Sequence, residues 1–157
     1  MRVARMVAGS TAVVTAVFGL SLATAGPAAA AESGTWVAYG NTNPITSSSS
    51  TWGCAGSQTL ATDVLAQVCA IRAANNTGTQ SAVIVRNNRS TAYSVHTYAD
   101  LFTSNGGNQG AWQCATKALA ANGWTVCFGR TITLSKVISV NSVGSANGVR
   151  LGTSPYV

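Results

Sequence analysis

Carboxylates are scarce in this chain. Its 157 residues hold three acidic side chains, Glu32, Asp63 and Asp100, and one histidine, His96. That inventory excludes most hydrolytic designs, which need a base, a nucleophile or paired carboxylates within reach of one another. Nothing around Asp63 or Asp100 resembles a recurrent glycosidase pair, and Asp100 in "YADLF" reads as a strand-end or turn residue. His96 and Asp100 are four residues apart. In an extended strand they face the same way but lie about 13 Å apart, too far for the His–Asp hydrogen bond of a triad. No G-x-S-x-G elbow and no G-K-[ST] phosphate loop occurs. We therefore assign no catalytic residue and no cofactor, and read His96 as an exposed histidine beside Tyr98.

Runs of positive charge are also missing. Nine Lys and Arg residues are dispersed along the chain, so no nucleic-acid footprint is expected. Long apolar runs are confined to the start. Arg2 and Arg5 precede an uncharged apolar stretch from Met6 to about Gly26. Pro27 breaks it, and Ala29-Ala30-Ala31 supplies the small residues of a cleavage site. Residues 1–31 thus read as a signal peptide, and no membrane segment is expected after its removal. Seven basic and three acidic residues then remain, a net charge of +4. The expectation is a secreted, extracellular protein of one compact domain.

Four cysteines follow the cleavage site: Cys54, Cys69, Cys114 and Cys127. An even count in an exported chain indicates two disulfides. Three connectivities are possible. Sequence-local pairing, Cys54–Cys69 with Cys114–Cys127, is favoured by the short loops and their strand-like flanks. A zinc site is disfavoured, because paired C-x-x-C units are absent and His96 has no second histidine beside it.

The body reads as short strands cut by turns. Val83-Ile84-Val85 is β-branched in series, as in a buried strand. "AYSVHTYADLF" alternates, with Tyr93, Val95 and Thr97 on one face and Ser94, His96 and Tyr98 on the other. "SNGGNQG", Ser104–Gly110, is too rich in glycine for a regular element. "WTVCFGRTITL" and "KVISVNSV" give late strands, and Asn147-Gly148 signals a two-residue hairpin. Leu60–Ala70 and Ala111–Ala121 are compatible with short helices, the first through Val64, Leu65 and Val68, the second through its alanines and Asn122-Gly123. The fold class expected is mainly β: a small disulfide-bonded antiparallel sandwich or barrel, with one or two short helices as an option. Trp52, Trp112 and Trp124 lie near cysteines, which suggests packing on disulfides, with a sugar-stacking platform as the alternative.

The segment before the first cysteine is the best functional lead. Trp36, Val37 and Tyr39 are costly to leave in water. "TSSSST" after them offers no core residue and reads as a tether. Residues 32–50 are thus an extended arm with a Ser/Thr tether, and 51–157 the disulfide-bonded domain. Trp36, Val37 and Tyr39 are the expected partner-binding residues, through strand addition to a partner. The competing arrangement returns Thr35–Tyr39 to its own body as an edge strand.

"TWGCAG" at Thr51–Gly56, "AQVCAIRA" at Ala66–Ala73, "VIVRNN" at Val83–Asn88, "WQCATKALA" at Trp112–Ala120 and "TVCFGRT" at Thr125–Thr131 form a framework of cysteines, paired asparagines and C-F-G-x-T. It resembles the small secreted adaptor subunit of the umbrella toxin particles made by streptomycetes. The resemblance implies a non-enzymatic role. Such an adaptor joins a lectin-like subunit to a large repeat-containing toxin subunit, with an extended N-terminal arm docked into the lectin partner. A secreted enzyme inhibitor and a small-ligand or carbohydrate-binding β-sandwich are the alternatives.

Overall fold

A computed structural model describes residues 30–135 and 137–157; the expected signal segment lies almost wholly outside them. The described residues form an all-β sandwich with two disulfides. Twelve strands follow in chain order: β1 (Glu32–Ser33), β2 (Thr35–Gly40), β3 (Thr51–Cys54), β4 (Gln58–Ala61), β5 (Val64–Arg72), β6 (Gly78–Asn87), β7 (Tyr93–Thr103), β8 (Asn108–Leu119), β9 (Gly123–Phe128), β10 (Ile132–Thr133), β11 (Val140–Ala146) and β12 (Val149–Thr153). One sheet has the order β1-β8-β7-β11-β12. The other runs β2-β9-β6-β5-β3, with β4 continuing the β3 edge along β5 and β10 pairing with β6. All pairings are antiparallel except β1 with β8.

The core lies where alternate residues of the two sheets meet. Val64, Ala66, Val68, Val83 and Val85 from one sheet pack with Val95, Ala99, Leu119 and Leu151 from the other. Each is buried, and at about 25 cal/mol per Å² such apolar burial is the dominant favourable contribution to folding. Trp112 fills a second part of the core with Ala70, Leu101 and Val140. Glycine makes room for it, because a Cβ on Gly129 would lie 2.6 Å from the indole. Arg72, 6% exposed, ties this end together by donating to the carbonyls of Asn76, Ile138 and Val157.

Both helix options are overturned. Leu60 and Ala61 close β4, Thr62-Asp63 makes the hairpin turn with Asp63 at φ 60°, and Val64–Ala70 runs inside β5. The helical spacing misled because Leu65 is an apolar residue on the solvent side, 37% exposed, and from Val68 onward β5 is buried on both faces, so its apolar residues do not alternate. Ala111–Leu119 belongs to β8, whose register slips opposite Val95 and Thr97 and interrupts its period of two. The loop expected over Ser104–Gly110 is shorter, since Asn108–Gly110 already pair within β8. The Asn147-Gly148 hairpin forms as expected, with φ 46° and 79°.

The disulfides are Cys54–Cys69 and Cys114–Cys127. The first links directly opposed residues of β3 and β5. The second joins β8 to β9 and so staples one sheet to the other. No helix among the described residues is long and apolar enough to cross a membrane.

The arm and tether of residues 32–50 take the other course open to them: they fold onto the body. Thr35–Gly40 pairs along β9, from Thr35 opposite Phe128 to Gly40 opposite Trp124. The chain from Asn41 to Ser50 then has to travel from β2 at one edge of the seven-stranded sheet to β3 at the other. It does so as a strap over the sheet's outer face. Pro44 is buried, and Ile45 packs with Tyr39, Trp52, Trp124 and Phe128 on Ile71, Ile84 and Val126. Polar residues fix the strap's shape. Asn43 Oδ1 accepts from the Ile45 amide at 2.9 Å, and the Asn43 carbonyl accepts from Ser47 Oγ at 2.9 Å. The physical reason is the outer apolar cluster, which a tether would leave in water.

Candidate functional site

The N-terminal segment spans both sheets within a few residues. Glu32 and Ser33 pair in parallel with Trp112 and Gln113 of β8. At Gly34 the chain passes to the other sheet, and its amide donates to the Gln113 carbonyl at 2.7 Å. Only glycine fits this crossing. A Cβ there would meet the Phe128 carbonyl oxygen at 2.8 Å and the sulfurs of Cys114 and Cys127 at 2.9 and 3.0 Å. The inter-sheet disulfide is therefore the seat on which the N-terminal strand crosses.

The three expected partner-binding residues have separate fates. Trp36 is half-buried and its Nε1 donates to the Ala115 carbonyl at 2.9 Å. Ala115 lies in the β8 bulge, where the ladder to β7 is interrupted. Tyr39 joins the outer cluster under the strap. Val37 alone is exposed, at 38%, on a strand bonded to β9 along one side only. Arg130 Nη2 sits 3.4 Å from Glu32 Oε1, but both side chains are largely solvated, so the pair adds little.

Apart from Glu32 on β1, the scarce acidic groups and the histidine occupy two places. Asp63 is in the β4–β5 turn of the seven-stranded sheet. His96 and Asp100 stand on the solvent side of β7, in the other sheet, with Tyr98 between them. Asp100 is thus a mid-strand residue, not a strand end, because β7 continues to Thr103. Tyr98 Oη donates to Asp100 Oδ1 at 2.9 Å, and Asn108 Nδ2 reaches the same oxygen at 3.4 Å. The Tyr98 phenol is held above its usual value, first by burial and then by the hydrogen bond to Asp100 and the carboxylate's charge. His96 is anchored through its backbone amide, which donates to Asn147 Oδ1 at 3.0 Å. No group of three or more His, Cys, Asp or Glu side chains among the described residues could hold a metal ion.

Trp52 and Trp124 pack in the outer cluster with the Cys54–Cys69 bridge, as expected of tryptophans near cysteines. Trp112 does not. It is 1% exposed and packs in the other cluster, away from solvent. Trp124 borders a small recess with Leu65 and Gln67, and the Arg86 guanidinium lies over its ring at 5.3 Å. On the other side of the molecule Trp36 of β2 and Tyr98 of β7 border a common recess with His96 and Gln113. Gln113 gave no signal in the sequence, since an exposed glutamine on a strand is ordinary.

No protein-family model matches the chain, and no curated protein matches it in sequence. The functional reading rests on the residues themselves.

Proposed function

We propose that the protein is a secreted, non-enzymatic adaptor that joins protein subunits of an extracellular assembly and docks one of them along β2. The observation that carries this reading is the open edge of β2, which is bonded to β9 on one side only, with Val37 exposed on the sheet face beside it. An unpaired strand edge offers a row of backbone donors and acceptors to an incoming strand, and natural proteins usually cover or charge such edges. Here the edge carries Thr35, Val37 and Tyr39 and no charge.

Two disulfides agree with an oxidising compartment, and the leader pattern of residues 1–31 agrees with export. The separation of Asp63 from His96 and Asp100 onto different sheets favours binding over hydrolysis. The resemblance to umbrella-particle adaptors supplies the partners: a lectin-like subunit and a repeat-containing toxin subunit, in an interbacterial weapon. The docking element differs from a free arm. It is a preformed edge strand, so association costs little ordering entropy.

The test is recovery of the tagged protein from culture supernatant, with mass spectrometry of the associated proteins and of the chain's own N-terminus. The expected result is a chain beginning near Glu32 with two larger secreted partners, one of which is lost on Val37→Lys at unchanged melting temperature. Retention of every partner by Val37→Lys, or recovery of the chain alone, overturns the reading.

A further inference from the structure

The solvent face of the five-stranded sheet holds a feature that docking at β2 does not use. Beside the β8 bulge lies a recess of about 590 Å³, bordered by Trp36, His96, Tyr98 and Gln113. Beyond Tyr98 it is followed by a second, more open recess bordered by Asp100, Asn108 and Gln109, with Ala30 of the expected signal segment on its rim. Tyr98 borders both, so the two form one trough along β7 with an aromatic ring at its centre.

The lining fixes the chemistry of an occupant. Among the described residues no lysine or arginine borders either recess, which disfavours an anion. Asp100 is the single carboxylate; Tyr98 and Asn108 occupy its Oδ1 and leave Oδ2 as an acceptor, and with no second acidic group beside it the trough does not make a cation site. An apolar ligand would strip water from the amides of Asn108, Gln109 and Gln113 without replacing its hydrogen bonds. An added peptide strand has no edge to join on β7, which is paired on both sides, by β8 and β11, and on β8 the Ala115 carbonyl beside the recess is already taken by Trp36. What remains is a neutral molecule with apolar faces and hydroxyl-bearing edges.

We propose that this trough binds a short neutral oligosaccharide, with Tyr98 stacked on a sugar ring and Gln113, Asn108 and Asp100 hydrogen-bonded to its hydroxyls. Trp36 bounds the far end as a ring only, since its N–H is occupied by Ala115. An aromatic face flanked by a few polar groups is the usual composition of a site that orients a polar ligand. The proposal shares Trp36 with β2 but does not use the open edge or Val37.

The experiment is calorimetric and NMR titration of the disulfide-intact protein with cellohexaose, chitohexaose, xylohexaose and maltohexaose. At least one should bind with a Kd of about 1 mM or tighter and shift the amides of β7 and β8. Tyr98→Ala should weaken that binding about tenfold, whereas Tyr98→Phe, which keeps the ring, should stay within about threefold. Arg86→Ala, on the opposite sheet, should leave it unchanged. The proposal is overturned if none of the four sugars binds at millimolar concentration, or if the shifts map away from β7 and β8. It is equally overturned if a folded Tyr98→Ala binds as the parent does, or if only a protein partner protects these amides. Should Tyr98→Ala fail to fold, the shift map and Gln113→Ala, expected to weaken binding about threefold, decide.

Discussion

The indole N–H of Trp36 donates to the carbonyl of Ala115 at 2.9 Å, across a sequence separation of 79 residues. The bond clips the N-terminal edge of the seven-stranded sheet to the bulge of the five-stranded one. Trp36→Phe keeps most of the ring and removes the donor. We expect a loss of about 1 kcal/mol in urea unfolding, the net worth of one such hydrogen bond, with the β2 amides exchanging faster than those of β9.

Limited proteolysis should find residues 32–50 resistant. Chymotrypsin sites at Trp36 and Tyr39 lie in a paired strand, and the strap beyond is fixed by Pro44 and Ile45. Cleavage there is expected only at the rate of global unfolding. Rapid release of an intact body lacking residues before Thr51, seen by mass spectrometry, would show a detached arm instead.

Gly34→Ala tests the crossing. The added Cβ would press on the Phe128 carbonyl and both sulfurs of the inter-sheet disulfide, none of which is a flexible chain end. A loss of about 1–3 kcal/mol is expected from overpacking, read as a lower urea midpoint. Gly56→Ala, where a Cβ meets nothing within 4 Å, is the control and should stay within about 0.5 kcal/mol.

The two disulfides close loops of similar length, with sequence separations of 15 and 13. Restriction of the unfolded chain alone gives each about 3 kcal/mol. Paired Cys→Ser removal of either bridge should therefore cost similar amounts in denaturant melts. Only loss of Cys114–Cys127 should also loosen β1 and β2 in hydrogen exchange, because Gly34 rests on it.

Alkaline titration should single out Tyr98. Its phenol is raised above 10.0, chiefly by burial and then by Asp100. The unfolded chain therefore loses this proton first as pH rises. The contribution to stability is complete below about pH 10 and is lost as pH climbs through the folded-state value. In a tyrosinate absorbance titration, with Tyr98→Phe as the blank, Asp100→Asn should move the Tyr98 midpoint down. It should not return fully to 10.0, since burial persists.

Much of the sandwich was legible because alternation is a direct image of one buried face. Tyr93–Tyr98 divides between faces as its pattern indicates, and Val83–Val85 is buried in series. Turn chemistry at Asn147-Gly148 and sequence-local cysteine pairing were equally readable. Strand β5 was harder to read, because a second apolar cluster covers its outer face at Cys69 and Ile71 and erases the period of two there, while Leu65 is apolar yet exposed. The strap was unreadable for a related reason. Its serines and threonines report solvent on one side, while Pro44 and Ile45 alone report the sheet beneath. The trough drew its walls from β2, β7 and β8, so Trp36, Tyr98 and Gln113 meet only through the tertiary fold.

The strap has a consequence for how the molecule comes together. It leads from one edge of the seven-stranded sheet to the opposite edge, so β2 has no neighbour near it in the chain. Its only neighbour in that sheet, β9, begins at Gly123, and β1 needs Trp112 and Gln113. The first strands to leave the ribosome are thus among the last that can be placed. Closing such distant contacts is slow, and until then the outer apolar cluster stands uncovered. The N-terminal segment can be fastened only after residues 112–128 have been made.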